Sequence, residues 1–448
     1  MFDVDAIPYF PFKLAPDGNG WLIRNPITGA EHELNQAAYW LLRLCDGYRT
    51  WGEIMAELGR AYQASRTQVM ALSKPLLQVL TDDGVLWWRR QRMHWWRLPP
   101  PTGVLWDLTA GCNLFCRHCV VSGGPSNKGE LSLDECRRLA DELATFGVRQ
   151  LILSGGEPLM RRDFFEIAEH AASRGLSLQI ATNATLITER TAQRLATMGA
   201  DAQVSLDGAT PEVHDDFRQC PGTWERAVQG IRHLVAAGVP VTVAAAVTKV
   251  NVDQIPALYD LAADLGAHTF RILPFVPYGR GGTARELEVS PQEMREVTAY
   301  LRQRRDKGGL PVAPMEFECT FAPPPQERAD PQTRVGCDGA VAYCTITSSG
   351  EVLPCNFFAG VEAENVKEHS FVWVWENSRF LNYFRSLTVS DIHGACQSCA
   401  WLPICRGSCI AANFAHGDIF QANCHCWLVN AAATTGGSSP HEGAERYG

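Results

Sequence analysis

Cys112, Cys116 and Cys119 stand at the spacing C-x3-C-x2-C within the stretch Thr109-Ala110-Gly111-Cys112-Asn113-Leu114-Phe115-Cys116-Arg117-His118-Cys119. The apolar run Val104 to Leu108 directly upstream reads as a strand. The three thiolates therefore lie on the loop at its end, where they can converge on one corner of an inorganic cluster. Three ligands are informative because four would be needed to close the tetrahedron of a structural zinc ion, whereas a 4Fe-4S cluster held by three cysteines leaves one iron open. A zinc site or a redox pair stays open on this spacing alone.

Further groups stand at regular intervals. A second apolar run ends Leu153-Ser154-Gly155-Gly156-Glu157-Pro158, with two glycines that allow close backbone approach and one anionic acceptor. Thr182-Asn183, then Ser205-Leu206-Asp207-Gly208, close two more such runs, and Arg218 follows in Asp216-Phe217-Arg218. Taken together, these stretches resemble the radical S-adenosylmethionine (SAM) enzymes. In that family the open iron chelates SAM, and one electron from the cluster cleaves it to a 5'-deoxyadenosyl radical. The resemblance implies that Gly155, Gly156 and Glu157 form the motif that holds the SAM ammonium. It also implies that Thr182, Asn183, Ser205 and Asp207 reach its carboxylate and ribose, and that Arg218 pairs with the carboxylate. The residue before the third cysteine is commonly aromatic in the family and lies beside adenine; here it is His118, a flat ring of another kind.

Cysteines crowd again near the C-terminus: Cys337, Cys344 and Cys355, the last in the spacing G-x4-C after Gly350, then Cys396, Cys399, Cys405 and Cys409, and finally Cys424 and Cys426. The block C-x2-C-x5-C-x3-C resembles the SPASM extension of radical SAM enzymes, which carries two auxiliary 4Fe-4S clusters. By that resemblance Cys337, Cys344, Cys355 and Cys409 hold the first cluster. Cys396, Cys399 and Cys405, with Cys424 or Cys426, hold the second. Zinc is the alternative for the C-x2-C pair. Cys45, Cys136, Cys220 and Cys319 stand alone and read as small apolar residues.

The elements that must position these groups alternate. Strands at Val104 to Thr109, Leu151 to Ser154, Ser177 to Thr182, Ala202 to Leu206, Val241 to Ala246 and Thr269 to Leu273 are separated by helical stretches ending near Gly147, Gly175, Gly199, Gly238 and Gly266. Six βα units predict an α/β fold, a partial (β/α)6 barrel with its ligands at the C-terminal strand ends. This core is expected over residues 96–321, and a cysteine-rich SPASM domain over 322–430.

Residues 1–95 predict a separate winged-helix-like domain. Trp21 to Arg24 and Ala30 to Leu34 flank a Pro/Gly turn. Asn35, Thr50 and Ser65 are placed to cap Gln36 to Cys45, Trp51 to Tyr62 and Arg66 to Thr81, and Val85 to Trp88 forms a last short strand. The run Glu33 to Ala38, with Leu44-Cys45-Asp46-Gly47 and Glu53-Ile54, resembles the pyrroloquinoline quinone peptide carrier, prototype of the RiPP recognition element. That resemblance implies a precursor-peptide leader added as a strand at Ala30 to Leu34 and packed on Arg66 to Leu80. DNA binding is disfavoured because this last helix holds only Arg66 and Lys74.

The formal charge of -9 and the 46% apolar composition describe an ordinary globular chain without a nucleic-acid footprint. No segment reads as a signal peptide or membrane span, so a cytosolic location is expected, where sixteen cysteines point to metal rather than disulfides. Trp87 to Arg97, before three prolines, reads as a linker, and residues 431–448 as a disordered tail. The order of domains resembles the radical SAM peptide maturases, which install thioether or carbon-carbon cross-links. It implies a flavodoxin or ferredoxin type electron donor. Alternatives are a SPASM enzyme acting on a small molecule such as a haem precursor, and one acting on a folded protein. The latter is weakened because Asn356 stands where the sulfatase-maturing enzymes place an aspartate base.

Overall fold

The computed structural model describes residues 3–17, 20–89, 98–126 and 129–429. The expected tail at 431–448, and most of the expected linker, lie outside them.

The N-terminal part holds strands β1 (Ile7–Tyr9), β2 (Ala15–Asp17), β3 (Gly20–Arg24) and β4 (Glu31–Leu34), helices α1 (Gln36–Leu44), α2 (Trp51–Tyr62) and α3 (Arg66–Asp82), and β5 (Trp87–Arg89). Asn35 caps α1, while Thr50 with Glu53 and Ser65 with Gln68 form reciprocal capping boxes on α2 and α3, so these helix starts are written locally. β2, β3 and β4 make one antiparallel sheet with β4 at its edge. β5 does not join that sheet; it pairs antiparallel with β1.

The reason is what the β1–β5 ribbon packs against. Tyr9 stacks on Tyr383 at 4.1 Å between ring centroids, and Trp87 meets Phe414 edge-on at 5.7 Å. Arg89, expected in a linker, is instead buried and donates to Asp391 Oδ1 and Oδ2 at 3.1 and 2.9 Å and to Ser386 Oγ and O at 2.7 and 2.8 Å. The ribbon thus fastens the N-terminal part to the C-terminal one.

The central sheet has the order β11-β10-β9-β8-β7-β6-β12-β13. Its six parallel strands are β6 (Gly103–Thr109), β7 (Gln150–Gly155), β8 (Ser177–Thr182), β9 (Asp201–Ser205), β10 (Val241–Val247) and β11 (Thr269–Pro274). They are linked by α4 (Leu133–Phe146), α5 (Phe164–Ser173), α6 (Glu189–Thr197), α7 (Pro211–Arg218) with α8 (Thr223–Ala236), and α9 (Ile255–Asp264), and α10 (Pro291–Asp306) follows β11. The strands fall in chain order, as five successive crossovers between neighbours require. The sheet continues beyond them, because β12 (Tyr343–Ile346) from the cysteine-rich part pairs parallel with β6, Cys344 opposite Val104, and turns back through β13 (Val352–Leu353). Helices α11 (Phe371–Asn377) and α12 (Arg379–Arg385) cover that extension, with fully buried Phe371, Trp375 and Phe380. No helix among the described residues is long and apolar enough to cross a membrane.

Candidate iron–sulfur and SAM site

The cysteine loop leaves the C-terminal end of β6, and each of its three sulfurs has a donor aimed at it. The N–H of Leu114 points to Cys112 Sγ at 3.4 Å, the N–H of Gly123 to Cys119 Sγ at 3.3 Å, and Arg218 Nη1 lies 3.9 Å from Cys116 Sγ. Donors of this kind suit thiolates that ligate iron. In the metal-free chain, burial, together with the neighbouring Cys116, Glu157 and Cys119, pushes the Cys112 thiol up to about 11. The residues therefore fit a cluster whose positive irons would offset that repulsion.

The two glycines expected at the SAM ammonium also pack against this loop. A Cβ on Gly155, whose φ is 134°, would lie 2.2 Å from the Thr109 carbonyl oxygen, and one on Gly156 would lie 2.3 Å from that of Gly111. The N–H groups of Gly156 and Glu157 donate to those same two oxygens, each at 2.8 Å.

Glu157 is fully buried and accepts from Thr182 Oγ1 and the Asn183 N–H, both at 2.8 Å. Burial raises its carboxyl to about 7 against those bonds. Asn183 Nδ2 donates to Asn113 Oδ1 at 2.9 Å, tying the third strand end back to the cysteine loop. Ser205, half-buried, ends β9. Asp207 and Arg218 are joined to each other: Arg218 Nε and Nη2 donate to Asp207 Oδ2 at 2.8 and 2.5 Å, with both side chains buried. Burial raises the Asp207 carboxyl, but Arg218, His118 and His214 beside it outweigh this and hold it below its ordinary value. His118 stacks on Phe217, centroids 4.2 Å apart and planes 4° from parallel, so one face of its ring is already covered. Burial lowers this imidazole to about 4, and it is neutral near pH 7.

Two further groups belong to the site. Arg280, after β11, donates to the Cys116 and Gly123 carbonyls and lies 3.6 Å over the Phe115 ring, so the exit of the last parallel strand grips the cysteine loop at the exit of the first. No motif marks it. Asp107 on β6 is buried, with Oδ1 unpartnered and its carboxyl raised to about 7 by burial. A carboxylate inside an apolar strand was its visible signal.

The C-terminal cysteines form two sets. Cys396, Cys399, Cys405 and Cys426 line one small cavity together with Phe317, Trp401 and Leu402. Cys424 does not line it; its Sγ lies 3.4 Å from His416 Nδ1, and His416 Nε2 lies 2.7 Å from Glu288 Oε2. Burial raises Cys424, but the His416 and His425 contacts win and hold it near about 7. Cys319, read as isolated, lies beside Cys399 and Cys405 and raises the thiol pKa of Cys405. Cys337, Cys355 and Cys409 form the other set, each raised first by burial; the charge of Cys337 adds to this at Cys355 and Cys409, and those of Asp338 and Glu316 at Cys337. None of these sets is drawn in around a single-ion position among the described residues.

Comparison with known proteins adds three family matches: the radical SAM superfamily at residues 106–262, the SPASM iron-sulfur cluster-binding domain at 333–400, and coenzyme PQQ synthesis protein D at 20–86. The AdoMet-dependent heme synthase of Methanosarcina barkeri is 34% identical over 73% of this chain and 96% of its own. The mycofactocin maturase MftC of Mycobacterium tuberculosis is 35% identical over 71% of this chain and 81% of its own. Among solved structures, SuiB of Streptococcus suis bound to S-adenosylmethionine superposes with a TM-score of 0.63 at 19% identity, covering 94% of this chain and 99% of that one. The enzyme anSMEcpe with bound AdoMet gives 0.58 at 17% identity over 73% of this chain and 94% of that one.

Proposed function

Because this chain belongs to the radical SAM enzymes, with a SPASM domain for auxiliary iron-sulfur clusters and a PqqD-like domain before them, we propose that it modifies a ribosomally made precursor peptide, installing a thioether or carbon-carbon cross-link. A 4Fe-4S cluster held by Cys112, Cys116 and Cys119, with SAM bound beside it, would supply the radical chemistry for abstracting a hydrogen atom. The residues around it do the positioning: Cys112, Cys116 and Cys119 hold the cluster, Arg280 and Gly156 fix their loop, and Glu157, Thr182, Asn183, Ser205, Asp207, Arg218 and His118 surround the SAM position.

The observation that carries the peptide reading is the open edge of β4. Among the described residues β4 pairs only with β3. His32 Nε2 lies 2.8 Å from Asp83 Oδ2, which caps α3, so the C-terminal end of that helix meets the β3–β4 hairpin. On α3, Leu72 and Val79 are 80% and 51% exposed, one above the other at i and i+7. An extended leader adding to β4 would gain main-chain hydrogen bonds and lay apolar side chains on that stripe. The structural neighbour SuiB has been solved bound to its precursor peptide SuiA. A flavodoxin or ferredoxin type protein is the proposed electron donor.

A second reading, a haem-precursor substrate, is supported by the similarity to the heme synthase along nearly all of that enzyme's length. A propionate-bearing substrate would call for basic side chains in the barrel, but two arginines there are engaged elsewhere, Arg280 on the cysteine loop and Arg271 Nη1 with Gln203 Oε1 at 3.1 Å. One experiment separates the readings. The full-length, reconstituted chain is incubated with an extract of its source cells, and bound peptides are identified by intact mass. A short ribosomal peptide that then loses two hydrogens in a SAM assay supports maturation; consumption of an iron porphyrin, with no peptide captured, transfers the weight to the second reading.

A further inference from the structure

A cysteine that ligates a buried cluster does so as a thiolate, and N–H groups aimed at its sulfur stabilise that charge. The backbone N–H groups of Gly339, Phe357 and Ala412 point at Cys337, Cys355 and Cys409 respectively, the first at 3.4 Å. Cys344, expected as the fourth member of this set, has no such donor among the described residues.

Strand geometry explains the difference. Successive side chains of a strand point to opposite faces of the sheet. Tyr343 on β12 feels the charges of Cys355 and Asp107, which puts it on their side. Cys344, the next residue, faces the helices. It is fully buried, beside the guanidinium of Arg385, which donates to the Ala340 and Trp375 carbonyls at 2.6 Å each. The alternation of β12 thus puts the Cys344 side chain on the face opposite that of Tyr343.

A different side chain stands where a fourth ligand is needed. Glu316 Oε2 is shielded from solvent and has no hydrogen-bond partner. Its charge acts on Cys409, as the largest effect after burial, and on Cys337. The next residue, Phe317, adopts a left-handed φ of 58° and lines the cavity of the other four cysteines. The strained turn thus sends Phe317 toward one cluster position and leaves Glu316 among the thiols of the other. A shielded carboxylate oxygen without a donor is costly unless something positive binds it.

We propose that Glu316 is the fourth protein ligand of the first auxiliary cluster, completing Cys337, Cys355 and Cys409, and that Cys344 is a structural thiol outside the set. An oxygen donor is harder than a thiolate and holds iron less firmly. The iron at Glu316 is therefore the one on this cluster that exchanges its ligand most readily. His425, whose Nδ1 is also unpartnered, lies close enough to Glu316 to bias its carboxyl.

The test uses the full chain with Cys112, Cys116 and Cys119 changed to Ala, so that only the auxiliary clusters load and about eight irons are bound per chain. In that background Cys344→Ser is expected to retain about eight irons and the same reduced EPR spectrum. Glu316→Gln is expected to change the spectrum and release about one iron, leaving a three-iron species. Glu316→Cys, which restores an anionic ligand, keeps the iron count and shifts the g-values, and this also tests the proposal if Glu316→Gln fails to fold. Loss of about four irons in Cys344→Ser overturns it, as does an unchanged spectrum in both Glu316 variants, or a spectrum that responds to His425→Gln and not to Glu316→Gln.

Discussion

Gly156 touches Gly111: a Cβ at position 156 would sit 2.3 Å from the Gly111 carbonyl oxygen, the same oxygen that accepts the Glu157 N–H at 2.8 Å. The exit of the second strand and the cysteine loop are one rigid piece, and Glu157 takes its position from it. Gly156→Ala must push the loop or Glu157 aside by an ångström or so. SAM cleavage is then expected to fall about 10²-fold, with loss of iron from the loop cluster and retention of the auxiliary ones. An unchanged cleavage rate would show that the contact positions nothing.

Asp107 gives a pH dependence. Burial raises it to about 7 in the folded chain, whereas an unfolded aspartate titrates at about 4. The folded state therefore binds the proton more tightly. Stability is greatest below the unfolded value, declines as pH rises from about 4, and has lost this contribution fully once pH passes about 7. Asp107→Asn removes the ionisation. Its melting temperature should exceed that of the wild type at pH 8 by more than at pH 5; an equal difference at both pH values would contradict the assignment.

What was readable in the chain, and what was not, follows the range of the interactions. Capping boxes such as Thr50 with Glu53 are local, and the helix starts came out in place. The cysteine loop and the Gly155-Gly156-Glu157 turn are short motifs with fixed spacing. β5 was legible as a strand but its partner was not, because Ile7 and Arg89 pair across the whole N-terminal part. The pairing of β12 with β6 spans a still longer separation. Glu316 belongs to no motif; only its burial next to thiols distinguishes it from the neighbouring Glu318, which is paired with Arg305.

The C-terminal pair of cysteines is separable by the same kind of geometry. Cys426 lines the cavity with Cys396, Cys399 and Cys405, while Cys424 faces His416. Cys426→Ser is expected to cost the second auxiliary cluster, about four irons per chain, and Cys424→Ser none. Iron and sulfide analysis of the two reconstituted variants checks this, and the reverse pattern would exchange their roles.

Arg89 clamps the N-terminal part onto the C-terminal one through Asp391 and Ser386, with side chains 1% and 6% exposed at the ion pair. Arg89→Ala leaves the Asp391 carboxylate buried, although the Thr388 N–H still donates to it at 2.8 Å. The expected loss is about 3 kcal/mol, the lower end for a broken buried pair. Arg89→Lys should recover little of it, since one ammonium cannot reproduce the fork that meets both residues. Urea unfolding of the two variants measures both numbers; a full rescue by lysine would mean that charge alone, not geometry, joins the domains.

The exposed stripe on α3 is the part of the recognition surface that can be altered without touching the core. Leu72 is 80% exposed, so Leu72→Glu has little to disturb in the fold and should change stability by less than about 0.5 kcal/mol. If a leader packs there, the same change places a charge under its apolar side chains, and peptide affinity should fall by at least about tenfold. SAM cleavage without peptide should be unaffected, because α3 is not part of the barrel. Isothermal titration with the captured peptide, beside a peptide-free cleavage assay, separates the two effects. Wild-type affinity in Leu72→Glu would move the leader off this face and leave β4 alone as its dock.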